Sequence, residues 1–169
     1  ADAGYKVFIL LTGTIESLRK QTQERVEEGF IGIDMSANST GGKRVGVGLD
    51  NKPIHAMAMT SRASDFKGDN DKIAVSLAGN NDAVVFVIKK QKNILENLRD
   101  WLLNLNADPI TKKIDVPMLL IDDEADNASV HTGKNKEDPT VINRLIRELV
   151  NIFTKSNYVG FTATPFANV

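Results

Sequence analysis

Continuous apolar runs, each tied to a neighbouring stretch of helical spacing, set the tightest limit on what this chain can fold into. Tyr5 to Thr12 carries Val7, Phe8, Ile9, Leu10 and Leu11 without a polar interruption, and Ala83 to Ile88 is wholly apolar. Pro117 to Ile121 repeats the pattern, and Tyr158 to Thr162 supplies a last strand. Runs this short and uniformly apolar read as strands covered on both faces. After the first, Thr14 is a candidate cap, Glu16 suits the first turn, Ile15, Leu18 and Val26 share a face, and Gly29 is placed to end the helix. After the second, Asn93 and Glu96 have capping-box spacing ahead of a stripe of Ile94, Leu95, Leu98, Trp101, Leu102 and Leu105. After the third, Asp138-Pro139 opens a helix that buries Val141, Ile142, Leu145, Ile146, Leu149, Val150 and Phe153. Strand and helix in alternation argue an α/β fold with a parallel sheet and right-handed crossovers. Between Phe30 and Gly79 the glycines and short polar residues predict loops and short strands, Lys72 to Leu77 being the best strand candidate.

Composition removes several function classes. A chain of 169 residues is one domain's worth, able to bury roughly two-thirds of its unfolded surface. Its net charge of -1 gives no global basic field, so any nucleic-acid contact must come from a local patch. With no cysteine there is neither a disulfide framework nor a thiolate metal site. No apolar run approaches the roughly 18 residues of a membrane span, and no signal peptide opens the chain. A cytoplasmic protein without membrane contact is the expectation.

The third strand ends in Asp122-Asp123-Glu124-Ala125-Asp126. Open parallel sheets bind ligands at the carboxyl ends of their strands, and a strand is a rigid mount for groups that must meet a nucleotide. An acid at the tip can hold magnesium, usually through water, while the next carboxylate orients or deprotonates the water that attacks a γ-phosphate. Asp123 suits the first task and Glu124 the second. One amphipathic helix later comes Gly160-Phe161-Thr162-Ala163-Thr164-Pro165, a strand ending in short hydroxyl side chains that can donate or accept hydrogen bonds.

Together these two segments resemble motifs II and III of superfamily 2 helicases and DNA translocases, the Walker B (DEAD) and Thr-Ala-Thr motifs. A narrower resemblance covers most of the chain. Ile121 to Ser129, Asp138-Pro139-Thr140 with Ile142 to Arg147, Gly160 to Asn168, and Leu11 to Thr14 with Leu18-Arg19 and Gln21 to Arg25 look like the Z1 domain family of bacterial candidate endonucleases. That resemblance implies a three-layer RecA-like P-loop NTPase lobe with a mainly parallel sheet, in the ATP-driven motor of a restriction or phage-defence protein. It implies ATP and Mg2+ as cofactors and DNA as partner. Asp126, Thr162 and Thr164 would stand at the nucleotide, and Thr12, Thr14, Lys89, Lys90 and Lys92 would be placed for backbone contacts to nucleic acid.

The chain departs from that pattern in one respect. A phosphate-binding loop needs Gly-x-x-x-x-Gly-Lys-Ser/Thr so that backbone amides and a lysine wrap the phosphates. Gly41-Gly42-Lys43 is followed by Arg44, has Ala37 where the first glycine belongs, and follows no apolar strand. The sequence also starts without methionine and stops just after the Thr-Ala-Thr segment. The expectation is therefore a partial lobe over 1–169, truncated, with the phosphate-loop strand, the second ATPase lobe and any nuclease region elsewhere. The missing strand would leave the edge of Tyr158 to Thr162 open to self-association. Mg-ATP affinity without the amide cradle is expected to be weak, and the piece alone inactive.

Other readings stay open. Asp122, Asp123, Glu124 and Asp126 could serve a metal-dependent hydrolase directly, or the chain could be a non-catalytic interaction domain. Asp50-Asn51-Lys52 and Asp65-Phe66-Lys67 match the short nuclease pattern of an acid followed by a lysine, at a frequency that chance explains. His131, in the polar loop after the acids, reads as exposed rather than as a ligand.

Overall fold

A computed structural model describes residues 3–36, 41–50, 52–68, 75–123 and 139–162. The apolar runs form β1 (Val7–Thr12), β5 (Ala83–Lys89) and β6 (Ile114–Asp122), joined by α1 (Glu16–Val26), β2 (Ile33–Asp34), β3 (Lys43–Arg44), β4 (Ala56–Ala58) and α2 (Lys92–Leu105). The chain then passes through α3 (Pro139–Ile152) directly into β7 (Phe153–Gly160). The main sheet has the order β4-β5-β1-β6-β7, and every neighbouring pair is parallel. The α/β expectation is borne out as a five-stranded parallel sheet flanked by helices. Because all the strands point one way, their carboxyl ends gather along a single edge.

One face of the sheet carries the main core. Strand alternation sends Val7, Ile9 and Leu11, Val84, Phe86 and Ile88, and Met118 and Leu120 to the same side. There they meet Leu95, Leu98, Trp101 and Leu102 of α2 and Ile142, Leu145, Ile146 and Leu149 of α3. Phe66, Phe86 and Trp101 make mutual edge-to-face ring contacts with centroids 5.5–5.8 Å apart. An Arg99–Glu148 ion pair at 2.9 Å joins α2 to α3. Pro117, which has no N–H to give, sits where the β6–β7 register shifts between Ile114 and Pro117, so the missing donor falls on an irregularity.

The opposite face is covered over β4, β5 and β1, where Ala56, Val85 and Val87 pack with Ile31. Over β6 and β7 it thins: Leu119 and Ile121 stay half-buried, and Val159 and Phe161 are exposed.

Several expectations needed correction. The buried face of α1 is polar: Arg19 and Gln23, with Glu27 one turn on, are fully buried, whereas Ile15 and Leu18 are exposed. The chain buries these groups because each finds partners. Arg19 donates to Glu16 at 2.7 Å and to the Ser61 carbonyl at 3.0 Å. Gln23 donates to the Thr60 carbonyl and accepts from its hydroxyl, and Glu27 takes 2.6 Å and 2.9 Å hydrogen bonds from Arg62 and Gln23. Nor does Gly29 end the helix. The backbone widens into a π-helical turn over Glu27–Ile31 and stops at Gly32, whose φ of 85° suits glycine and whose N–H reaches the Glu27 carbonyl.

Neither proposed side-chain cap forms: the N-cap positions are Ile15 in α1 and Gln91 in α2, both without a capping side chain. Asn93 falls inside the first turn because α2 begins two residues after Lys90. Of Lys72 to Leu77, the described residues 75–77 are not strand; Leu77 is buried in a turn and donates its N–H to Asn106. The fifth strand of the sheet is instead β4, whose Ala-Met-Ala lacks β-branched residues. The Asp138 cap lies outside the described residues.

Candidate functional site

At the carboxyl edge the strand tips are sewn together by backbone bonds. Lys90 donates its N–H to the Thr12 carbonyl at 3.0 Å, Asp123 to Leu11 at 2.9 Å, and Phe161 to Asp122 at 2.8 Å. The ends of β5, β1, β6 and β7 thus meet around the acidic tip of β6.

Alternation along β6 separates the two acids described there. Asp122 follows Met118 and Leu120 on the core face and is 3 % exposed, while Asp123 turns to solvent. A buried carboxylate is costly unless paired. Lys90, itself buried, places its ammonium 2.7 Å from Asp122 Oδ1, and the Tyr158 hydroxyl donates to Oδ2 at 2.9 Å. Apart from that ion pair, Oδ1 accepts no hydrogen bond. Burial, and then Asp122, push the Tyr158 phenol up to about 12, so it stays a donor throughout the physiological range.

The other expected site residues fall as follows. Thr12 is buried and donates to the Ile88 carbonyl at 3.2 Å, while Thr14 is exposed just beyond the β1 tip. Lys89 is drawn sideways into ion pairs with Glu16 at 2.8 Å and Asp65 at 3.9 Å. Lys92 is half exposed and lies 4.0 Å from Glu96. Thr162 is partly buried just beyond β7. Glu124, Asp126, His131 and Thr164 lie outside the described residues. The structure therefore brings Thr12, Lys89, Lys90, Asp122, Asp123 and Thr162 to one edge, where the Lys89 ammonium is taken up by Glu16 and Asp65.

Sequence reasoning missed Lys90 and Tyr158 as partners of Asp122. Their positions at the ends of β5 and β7 are the only hint, and it becomes readable once the strand order is known. Also missed was the charged cluster of Glu16, Arg19, Asp65 and Lys89. There the Arg19 hydrogen bond holds the Glu16 carboxyl down at about 2 against the opposing effect of burial, whereas burial raises Asp65. Of the nuclease-like pairs, Asp65 is thus tied to Arg19 at 3.7 Å as well as to Lys89, and Asp50 and Lys52 are exposed, 4.0 Å apart. Among the described residues no three acids or histidines converge as a metal site. No described helix is long and apolar enough to cross a membrane. The chain matches no protein-family profile, no curated protein and no solved structure.

Proposed function

We propose that this chain is part of the ATP-hydrolysing motor of a DNA-acting restriction or phage-defence protein, working in the bacterial cytoplasm. In this reading it is a portion of a RecA-like lobe of the superfamily 2 helicase type. The observation that carries the proposal is the position of Asp123: exposed, at the carboxyl tip of a strand flanked on both sides by parallel neighbours, with Thr12 and Thr162 at the adjoining tips. Open α/β sheets bind their ligands at that edge.

The residues fit magnesium better as a partner of bound phosphate than as a freestanding protein site. Magnesium keeps several waters and takes one or two carboxylates, the remainder coming from phosphate oxygens. Asp123 offers one hard, solvent-facing carboxylate, and Asp122 is already engaged by Lys90 and Tyr158. Magnesium bound with ATP would supply charge neutralisation on the transferring phosphoryl group. Glu124 would orient and deprotonate the attacking water, and Thr162, just beyond β7, would with Thr164 follow the state of the nucleotide. The engagement of Asp122 disfavours the direct metal-hydrolase reading, which needs several free carboxylates at one point. Among the described residues no strand pairs with the far side of β7 and the cover over Leu119, Ile121 and Val159 is thin, which is compatible with a further strand and helix there.

The test is ATP hydrolysis by the full gene product, with and without DNA, for the native protein and for Glu124→Gln. Loss of a positioned general base lowers turnover by roughly 100- to 10,000-fold. No native hydrolysis, or hydrolysis untouched by the substitution, refutes the proposal.

A further inference from the structure

We propose that Lys90, Asp122 and Tyr158 form a positioning clasp that fixes where Asp123 stands, without themselves touching metal or nucleotide. This role rests on the reading of Asp123 as the magnesium-bearing acid.

Geometry assigns the clasp. Lys90 follows β5, which is separated from β6 by β1, so two strand spacings, roughly 10 Å, lie between the two backbones, and the Lys90 and Asp122 side chains reach toward each other across β1 to meet at 2.7 Å. Tyr158 reaches the same carboxylate from β7, on the other side. One side chain thereby ties the chain after β5 to β7 across β6, through an ion pair at Oδ1 and a hydrogen bond at Oδ2. The neighbouring residue points the opposite way, to solvent, and its amide is pinned to Leu11. Any displacement of the β5 or β7 tip is transmitted through Asp122 to the backbone that carries Asp123.

The energetics favour a positioning role over a stabilising one. Replacing a buried ion pair by well-packed apolar groups is commonly neutral or stabilising, so such a pair is poorly explained by stability alone. Groups that orient a metal ligand from behind, by contrast, typically change metal affinity 10- to 100-fold when removed. Lys90 is therefore placed here as a positioning residue.

The test uses Mn2+ together with a non-hydrolysable ATP analogue as the probe, titrated into the isotope-labelled full gene product, with paramagnetic broadening of the amides around Asp123 giving an apparent dissociation constant for the metal. Asp123→Asn is the control for the site. The double variant Lys90→Met with Asp122→Leu removes the pair without changing net charge, and Tyr158→Phe removes one hydrogen bond. A urea midpoint is measured for each. The double variant is expected to keep or raise its midpoint yet bind Mn2+ roughly 10- to 100-fold more weakly, with Tyr158→Phe showing a smaller loss in the same direction. Native Mn2+ affinity in a folded double variant overturns the clasp. Should that variant fail to fold, native affinity in Tyr158→Phe does so. If Asp123→Asn leaves broadening unchanged, the metal reading itself fails and the clasp with it.

Discussion

Replacing Arg62 by alanine should expose how much this fold depends on a polar interior beneath α1. Glu27 is buried, its side chain 1 % exposed, and its carboxylate is held by Arg62 at 2.6 Å and Gln23 at 2.9 Å. Arg62→Ala removes the only cation among those partners and leaves an ionised group with one neutral donor. Breaking a buried pair from one side costs about 3–5 kcal/mol. The Arg62 side chain is 26 % exposed, so water already screens the pair, and the lower end, about 3 kcal/mol, is the better expectation. For a chain of this size that is a fall of roughly 6–12 °C in Tm. Arg62 also pairs with Glu24 at 2.6 Å, but Glu24 is 48 % exposed, so Glu24→Ala should cost only about 0.2–1 kcal/mol. Urea unfolding of both variants and of Glu27→Gln gives the comparison. If Arg62→Ala and Glu24→Ala prove equally mild, below about 1 kcal/mol, then Glu27 is not a buried charge and the account of α1 is wrong.

Three further outcomes are expected elsewhere in the structure. Glu16, held at about 2 against an ordinary value of 4.5, contributes stability above pH 4.5 that is lost as pH falls toward 2. Asp65, raised by burial, works in the opposite sense, so Glu16→Gln should flatten the acid limb of a stability profile rather than steepen it. Gly48→Ala places a Cβ 2.0 Å from the Gly32 carbonyl oxygen, a backbone clash, and should lower stability by about 1–3 kcal/mol in the same urea assay. Because β7 has no partner on its far side among the described residues, concentration-dependent self-association is expected by light scattering, reduced by Val159→Lys; a monodisperse protein at all concentrations contradicts it.

What the sequence discloses and what it hides divides along a physical line. Where burial is apolar, periodicity reports it: β1, β5, β6, α2 and most of α3 follow from Val, Ile and Leu spacing. The start of β7 does not, because Thr154 to Asn157 are exposed polar residues on an edge strand. Nor does the inner face of α1, since Arg19, Gln23 and Glu27 look like a solvated stripe until Thr60, Ser61 and Arg62 are folded against them. The glycines between Phe30 and Asp50 read as loop punctuation, yet Gly32 and Gly48 allow two backbones to touch. At the candidate site the acids were visible as a strand ending. That Asp122 faces inward and only Asp123 outward requires the sheet's pleat and the register with β1 and β7.

The central claim is that the second of these acids, and not the first, meets the metal-bound nucleotide. Anomalous diffraction from crystals of the full gene product grown with Mn2+ and a non-hydrolysable ATP analogue locates the ion directly. The account predicts Mn2+ at the carboxyl edge of the sheet, next to Asp123 and the analogue's phosphates, with Asp122 still paired to Lys90. An ion coordinated by Asp122, or an analogue bound away from that edge, would contradict it.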